Sequence, residues 1–210
     1  MPRAPRKQSP RAVPHSIRII GGQFRRTPIA VVDAPGLRPT PDRVRETVYN
    51  WLAHLWDTDF DNKAVLDPFA GTGAMGFEAA SRGAGRIVLV ESERRAVFAM
   101  TALRDKLAAT NIEIVHGDGL AAMRRLTSAK FDVIFLDPPF GEGKLEKVWP
   151  LLPAVLAEDG LVYVESETPV VAPEGFVVVR QDNAGAVHFA LLERSRPAAQ
   201  DGGGGHPGNS

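Results

Sequence analysis

The sequence predicts an α/β fold: a mostly parallel β-sheet covered by helices on both faces, preceded by a small N-terminal β-hairpin. Three observations carry this. From residue 64 onward, seven short apolar runs (AVLD, IVLVE, IEIV, DVIFLD, LVYVE, FVVV and VHFALL) are mostly separated by helix-like stretches, and strands that are apolar throughout belong in a sheet buried on both faces. The last two runs have no helix between them, which pairs them as an antiparallel hairpin at one edge. A glycine-rich loop follows directly on the first core run, where sheets of this kind bind ligands.

Taken in order, residues 1–16 (MPRAPRKQSPRAVPHS) are rich in Arg and Pro and are expected to form a disordered basic tail. IRII (17–20) and PIAVV (28–32) are β-branched runs separated by Gly21, Gly22 and the polar stretch Gln23 to Thr27. This reads as a hairpin within a 17–40 extension, its loop displaying Arg25 and Arg26. In GLRPTPDRVRETVYNWLAHLW, Thr40 is the expected N-cap and Pro41 the first helical residue. Val44, Val48, Trp51, Leu52 and Leu55 recur at helical spacing, leaving Arg43, Glu46 and Asn50 on the other face. The body, 41–194, then has helix-like stretches around 73–82, 94–109, 119–126 and 144–157, the last interrupted by Pro150 and Pro153. Residues 195–210 are Gly-rich and are expected to be disordered.

Composition narrows the chemistry. The chain has no cysteine, which excludes a disulfide scaffold, a thiolate nucleophile, a Cys-ligated zinc and an iron-sulfur cluster. Its five histidines are scattered without ligand spacing, so no metal is expected. No apolar run approaches the ~20 residues of a membrane helix, and the first residues lack a signal peptide's hydrophobic core. A cytoplasmic, non-membrane protein is expected. Twenty-five basic residues balance 25 acidic ones, yet residues 1–50 hold ten basic side chains against three acidic, a local balance of +7. That asymmetry points to a polyanion-binding arm on a body of different character. The candidates for such contacts are Arg18, Arg25, Arg26, Arg38, Arg43 and Arg45.

The glycine loop reads Asp67-Pro68-Phe69-Ala70-Gly71-Thr72-Gly73-Ala74-Met75-Gly76, and Glu91 ends the next strand 20 residues after Gly71. A G-x-G-x-x-G between strand and helix followed by such an acid also suits a nicotinamide dinucleotide. Asp67 tilts the choice, because a carboxylate ahead of the glycines repels a pyrophosphate and suits a ligand offering a cation, such as the methionine part of S-adenosylmethionine. The third strand end adds Asp118 and Gly119, where an acid can accept from an adenine amino group. Taken singly, Asp118 reads equally well as a helix N-cap and Glu91 as a solvated strand end. The expected cofactor residues are Asp67, Pro68, Phe69, Ala70, Gly71, Gly73, Glu91, Ser92, Asp118 and Gly119.

The fourth strand ends in Asp137-Pro138-Pro139-Phe140. An exocyclic amine on a nucleobase is a poor nucleophile because its lone pair is delocalised into the ring. The Asp137 carboxylate and the Pro138 carbonyl oxygen can each accept one of its N–H bonds and turn the lone pair towards a methyl donor. Proline offers no competing N–H and restricts its backbone, and Phe140 can stack on the base, such contacts being worth about 1–3 kcal/mol. Transfer from a sulfonium is then an in-line displacement with a neutral leaving group.

The segments IRIIGGQFR, GLRPTPDRVRETVYNWL, LDPFAGTGAMGFEAASRGA, VESERRAV and FLDPPF resemble the bacterial RsmD family, the 16S ribosomal RNA (guanine-N2)-methyltransferases, over about residues 17–194. The glycine loop and Asp-Pro-Pro-aromatic motif are shared by many amino-methyltransferases; LRPT followed by DRVRE and NWL is the particular part. The resemblance implies a class I, Rossmann-like methyltransferase with a seven-stranded sheet whose last strand pair is antiparallel. It also implies S-adenosylmethionine as cofactor and one guanine of 16S ribosomal RNA, free or in the small subunit, as substrate. A monomer is expected. Where the family has glycine after the first basic residue of GGQFR, this chain has Arg26. A DNA adenine or cytosine amino-methyltransferase shares the chemistry, but the chain has no room for a target-recognition domain. An NAD-dependent oxidoreductase is the alternative of another class, against which stands the lack of a Tyr-x-x-x-Lys pair.

Overall fold

Period-2 alternation of apolar side chains dominates the body and builds the sheet. The structure, a computed structural model, describes residues 16–32, 40–138 and 143–195. Strands β1 (Ser16–Arg18) and β2 (Pro28–Ala30) form an antiparallel hairpin. Then follow α1 (Asp42–Leu55), β3 (Ala64–Asp67), α2 (Ala74–Ser81), β4 (Arg86–Glu91), α3 (Arg94–Leu107), β5 (Ile112–His116), α4 (Gly119–Arg125) and β6 (Phe131–Leu136). The next helical stretch is broken into α5 (Lys144–Val148), a 3-10 turn (Trp149–Leu151) and α6 (Leu152–Val155), with Pro150 and Pro153 at the starts of the latter two. Strands β7 (Leu156–Ser166), β8 (Phe176–Ala184) and β9 (Val187–Arg194) complete the sheet.

The seven-stranded sheet has the order β5-β4-β3-β6-β7-β9-β8. It is parallel from β5 to β7, whereas β9 pairs antiparallel with both β7 and β8. Alternate residues feed two cores. Val65, Ile87, Leu89, Val133, Phe135, Leu161 and Tyr163 pack on the side of α1 and α2, and Leu66, Val88, Val90, Ile134, Leu136, Val162 and Val164 pack on the side of α4 and α6. The strand order reverses between β3 and β6, and the crevice beyond their carboxyl ends is where such sheets take ligands.

The hairpin is tied to α2. Glu78, buried, accepts from the backbone N–H of Ile20 (2.7 Å) and Gly21 (2.9 Å) and from Arg82 Nε (2.9 Å). Ser81 adds its carbonyl to Gln23 N and its hydroxyl oxygen to Phe24 N. The loop carries Arg26 at φ 69°, a left-handed conformation that costs a residue with a Cβ about 1–2 kcal/mol.

Helix α1 begins one residue later than expected. Pro41, extended at φ −57° and ψ 147°, occupies the N-cap, and no side chain caps the helix. Thr40 is withdrawn from the cap because its hydroxyl is hydrogen-bonded to Glu165 instead. The residue tails 1–15 and 196–210 lie outside the described residues.

Candidate active site

Five carboxyl groups converge at the carboxyl ends of five strands. Asp67 ends β3, Glu91 ends β4, Asp118 follows β5, Asp137 follows β6 and Glu165 is the last residue but one of β7. All five line one cavity of about 370 Å³, with Pro68, Phe69, Ala70, Gly71, Ser92, Gly119 and Pro138 also in its walls.

Backbone geometry fixes the glycine loop. Gly73 caps α2 in the left-handed region at φ 76°, accessible to glycine at little cost. Ala70 N–H donates to Val90 O (2.9 Å), tying the loop to β4. Gly71 N–H donates to Glu91 Oε2 at 2.7 Å, while Glu91 Oε1 accepts from Glu93 N at 2.7 Å and from Ser92 Oγ at 3.2 Å. Glu91 is thus aimed by backbone donors and is more than a solvated strand end. Asp118 does cap α4, accepting from Ala121 N at 2.8 Å through Oδ1, and it lines the cavity as well. Gly119 allows the two loops to meet: a Cβ there would lie 2.1 Å from the Pro68 carbonyl oxygen.

At the switch point Asp67 is buried and Asp137 is half-buried, and Glu165 beside them is buried. Burial pushes the Asp67 carboxyl up to about 7, with Glu91 and Glu165 adding and the Phe69 N–H, at 3.3 Å, pulling back. Burial also pushes Asp137 well above the usual carboxylate range, with Glu165 and Asp67 adding. Carboxyls raised in this way mark negative charge that lacks compensation, so the cavity is electrostatically matched to a ligand carrying positive charge. A nucleoside bearing a sulfonium and an ammonium fits that donor set; a pyrophosphate does not.

Glu165 and Lys144 are among the cavity residues that the sequence did not single out. Glu165 was legible as an acid at a strand's carboxyl end, the signal that marks Asp67 and Glu91. Lys144, whose Nζ lies 5.9 Å from the Phe69 ring centre, carried no sequence signal, because it reaches the wall only through the placement of α5 against the sheet. Pro139 and Phe140 fall outside the described residues, as does Arg38.

Of the candidate RNA-contacting arginines, Arg18, Arg25, Arg26 and Arg43 are exposed. Arg18 pairs with Asp42 at 3.2 Å. Arg45 is corrected: its side chain is fully buried, with Nη2 donating to Arg18 O at 2.8 Å and to Asp42 Oδ1 at 2.6 Å. The reason is helical phase. Arg45 stands in the inward stripe of Val44, Val48, Tyr49 and Leu52, so it joins α1 to β1 and faces no ligand.

The sequence model of the family described as conserved hypothetical protein 95 matches residues 17–193. The chain belongs to this family. It is 39% identical over 191 residues to the ribosomal RNA small subunit methyltransferase D of Escherichia coli, spanning 88% of this chain and 93% of that one. A solved Escherichia coli structure described as a methyltransferase aligns with a TM-score of 0.74 at 36% identity, covering 85% of this chain and 98% of that one. An S-adenosylmethionine-dependent methyltransferase from Streptococcus mutans shares the fold, with a TM-score of 0.62 at 16% identity over 89% of this chain and 57% of that one. The RsmD resemblance drawn from LRPT, DRVRE and NWL is therefore borne out, as is the seven-stranded methyltransferase fold. In this family member the five carboxyls surround the switch point of that fold.

Proposed function

We propose that this protein methylates the exocyclic N2 amino group of one guanine in 16S ribosomal RNA by direct in-line transfer. Its cofactor is S-adenosylmethionine. The observation that carries the reading is that one cavity is lined both by the acids suited to the cofactor and by Asp137 with Pro138; the relatives' names support ribosomal RNA as the substrate class.

Glu91 would hold the cofactor's ribose hydroxyls, Asp118 its adenine amino group and Asp67 its ammonium. When bound, the cofactor supplies an electrophilic methyl group on a cationic sulfur. The Asp137 carboxylate and the Pro138 carbonyl oxygen each accept one N–H of the guanine amine, which draws the nitrogen towards a tetrahedral shape and aims its lone pair. Pro138 has no N–H of its own to compete, and this alignment supplies much of the acceleration. The base must leave its stack to reach the cavity, with Phe140 as its stacking partner. Arg18, Arg25, Arg26, Arg38 and Arg43 hold the surrounding phosphates. The chain works as a cytoplasmic monomer, without a metal, on 16S ribosomal RNA or the small subunit.

Mass mapping of methylated nucleotides tests the reading. Ribosomal RNA from cells lacking the protein should lose one N2-methylguanine, regained with the wild-type chain but not with Asp137→Ala. The Asp137→Ala protein should still bind the demethylated cofactor. An unaltered methylation map, or full activity in Asp137→Ala, refutes it.

A further inference from the structure

Asp137 has a neighbour that the mechanism above leaves unused. Leu136, the last residue of β6, is in register with Val164 of β7, on parallel strands spaced roughly 4.8 Å apart, so Asp137 follows directly where Glu165 continues β7. Alternation along β7 returns the Glu165 side chain to the face of Tyr163. Glu165 is 4% exposed, and it lines the cavity with Asp137. The Tyr163 hydroxyl donates to its Oε1 at 2.7 Å, and Thr40 supplies a second hydroxyl. From β9, the residue in register with Glu165 is the apolar Phe189.

We propose that Glu165 is a positioning residue for Asp137, and that the two carboxyls together receive the proton which the methylated amine must lose. The proposal rests on the methyl-transfer reading. In that step a nitrogen–carbon bond forms and the carbon–sulfur bond breaks, its electron pair leaving on sulfur. One N–H bond then breaks, its pair stays on nitrogen, and the proton passes to the carboxyl pair and on to water.

The surroundings divide the labour between the two acids. Two carboxyls this close in a dry site do not both ionise readily, and the proton they hold belongs to the pair. Burial pushes Glu165 up while the Tyr163 and Thr40 hydroxyls pull it back. Asp137 is pushed up by burial, by Glu165 and by Asp67. The two hydroxyls favour the ionised form of Glu165 and so bias the shared proton towards Asp137. A cationic ligand in the cavity favours loss of that proton, and once the ligand's positive charge is spent the neighbouring anion again favours protonation of the pair.

Carbon-13 titration of the side-chain carboxyls in the ligand-free full chain tests the pairing without substrate. Asp137 should titrate above ordinary carboxylates, and Glu165→Gln should lower its midpoint by roughly one to three pH units. The acidic limb of the kcat profile should move down with it while KM for RNA holds. Tyr163→Phe, a milder change that guards against misfolding of Glu165→Gln, should shift the proton towards Glu165 and lower the Asp137 midpoint. An Asp137 titration unmoved by both variants overturns the proposal, as does a joint loss in kcat and KM with an unshifted limb. The readings fail separately: absence of methyl transfer by the wild type sinks the function, and an uncoupled titration sinks the pair.

Discussion

Replacing Gly119 by Ala should weaken cofactor binding. A Cβ on Gly119 would sit 2.1 Å from the Pro68 carbonyl oxygen, about 0.9 Å short of the 3.0 Å that real Cβ contacts respect. Its other near neighbours are the Pro68 carbonyl carbon and Phe69 Cε1, so most of the strain falls on backbone that cannot swing aside. Relief requires the segments after β3 and β5 to part, and those segments carry the cavity-lining residues Pro68, Phe69 and Asp118. Overpacking of this kind costs about 1–3 kcal/mol, which is roughly a 5- to 150-fold loss of affinity if the site must close against it. Titration calorimetry with the demethylated cofactor on Gly119→Ala and the wild-type chain reads the difference. Equal affinities would refute the claim that close approach of these loops builds the cofactor site.

Three further outcomes are expected. The folded Asp67 carboxyl lies at about 7, above its ordinary 3.8; the native state then binds more protons than the unfolded chain between these values, so stability falls as pH rises from about 4 to about 7. Asp67→Asn should flatten that stretch of the Tm-against-pH curve, and an unchanged slope would clear Asp67 of responsibility. Glu78→Ala strands three donors, including Arg82, and should cost about 3–5 kcal/mol in denaturant unfolding, with a loss under 1 kcal/mol showing that the hairpin is held elsewhere. Arg25→Ala with Arg26→Ala should lower the salt slope of RNA binding by roughly one per arginine, whereas Arg45→Ala should destabilise the fold and leave that slope alone.

The sheet was legible because its physics is local. Seven apolar runs with period-2 packing need a cover on both faces, and the lack of a helix between FVVV and VHFALL sufficed to set β8 beside β9 antiparallel. Roles that depend on partners far along the chain were not legible. Thr40 has the residue type and spacing of an N-cap, yet Glu165, 125 residues on, takes its hydroxyl. Arg45 looked like one more cation in a basic stretch, although counting helical positions from Val44 and Val48 would have turned it inward. Asp118 shows that competing readings need not exclude each other, since it caps α4 and lines the cavity. Glu165 carries the same strand-end signal as Asp67 and Glu91, but its place next to Asp137 follows only from the pairing of β6 with β7.

That cluster of acids also decides between the ligands that the glycine spacing leaves open. A dinucleotide would lay its pyrophosphate on the loop ahead of α2, drawing on loop N–H donors. Here the Gly71 N–H is already committed to Glu91 Oε2, and the buried Asp67 stands just before the loop. Like charges 4 Å apart cost about 4 kcal/mol at an effective dielectric near 20, so a pyrophosphate would be repelled where it needs donors. A cation gains from the same groups. Exposed Arg18, Arg25, Arg26 and Arg43 lie on the hairpin and on α1, outside the acid-lined cavity. On the proposed reading these arginines take the phosphates of the RNA, and a base turned out of its strand brings its amine to Asp137.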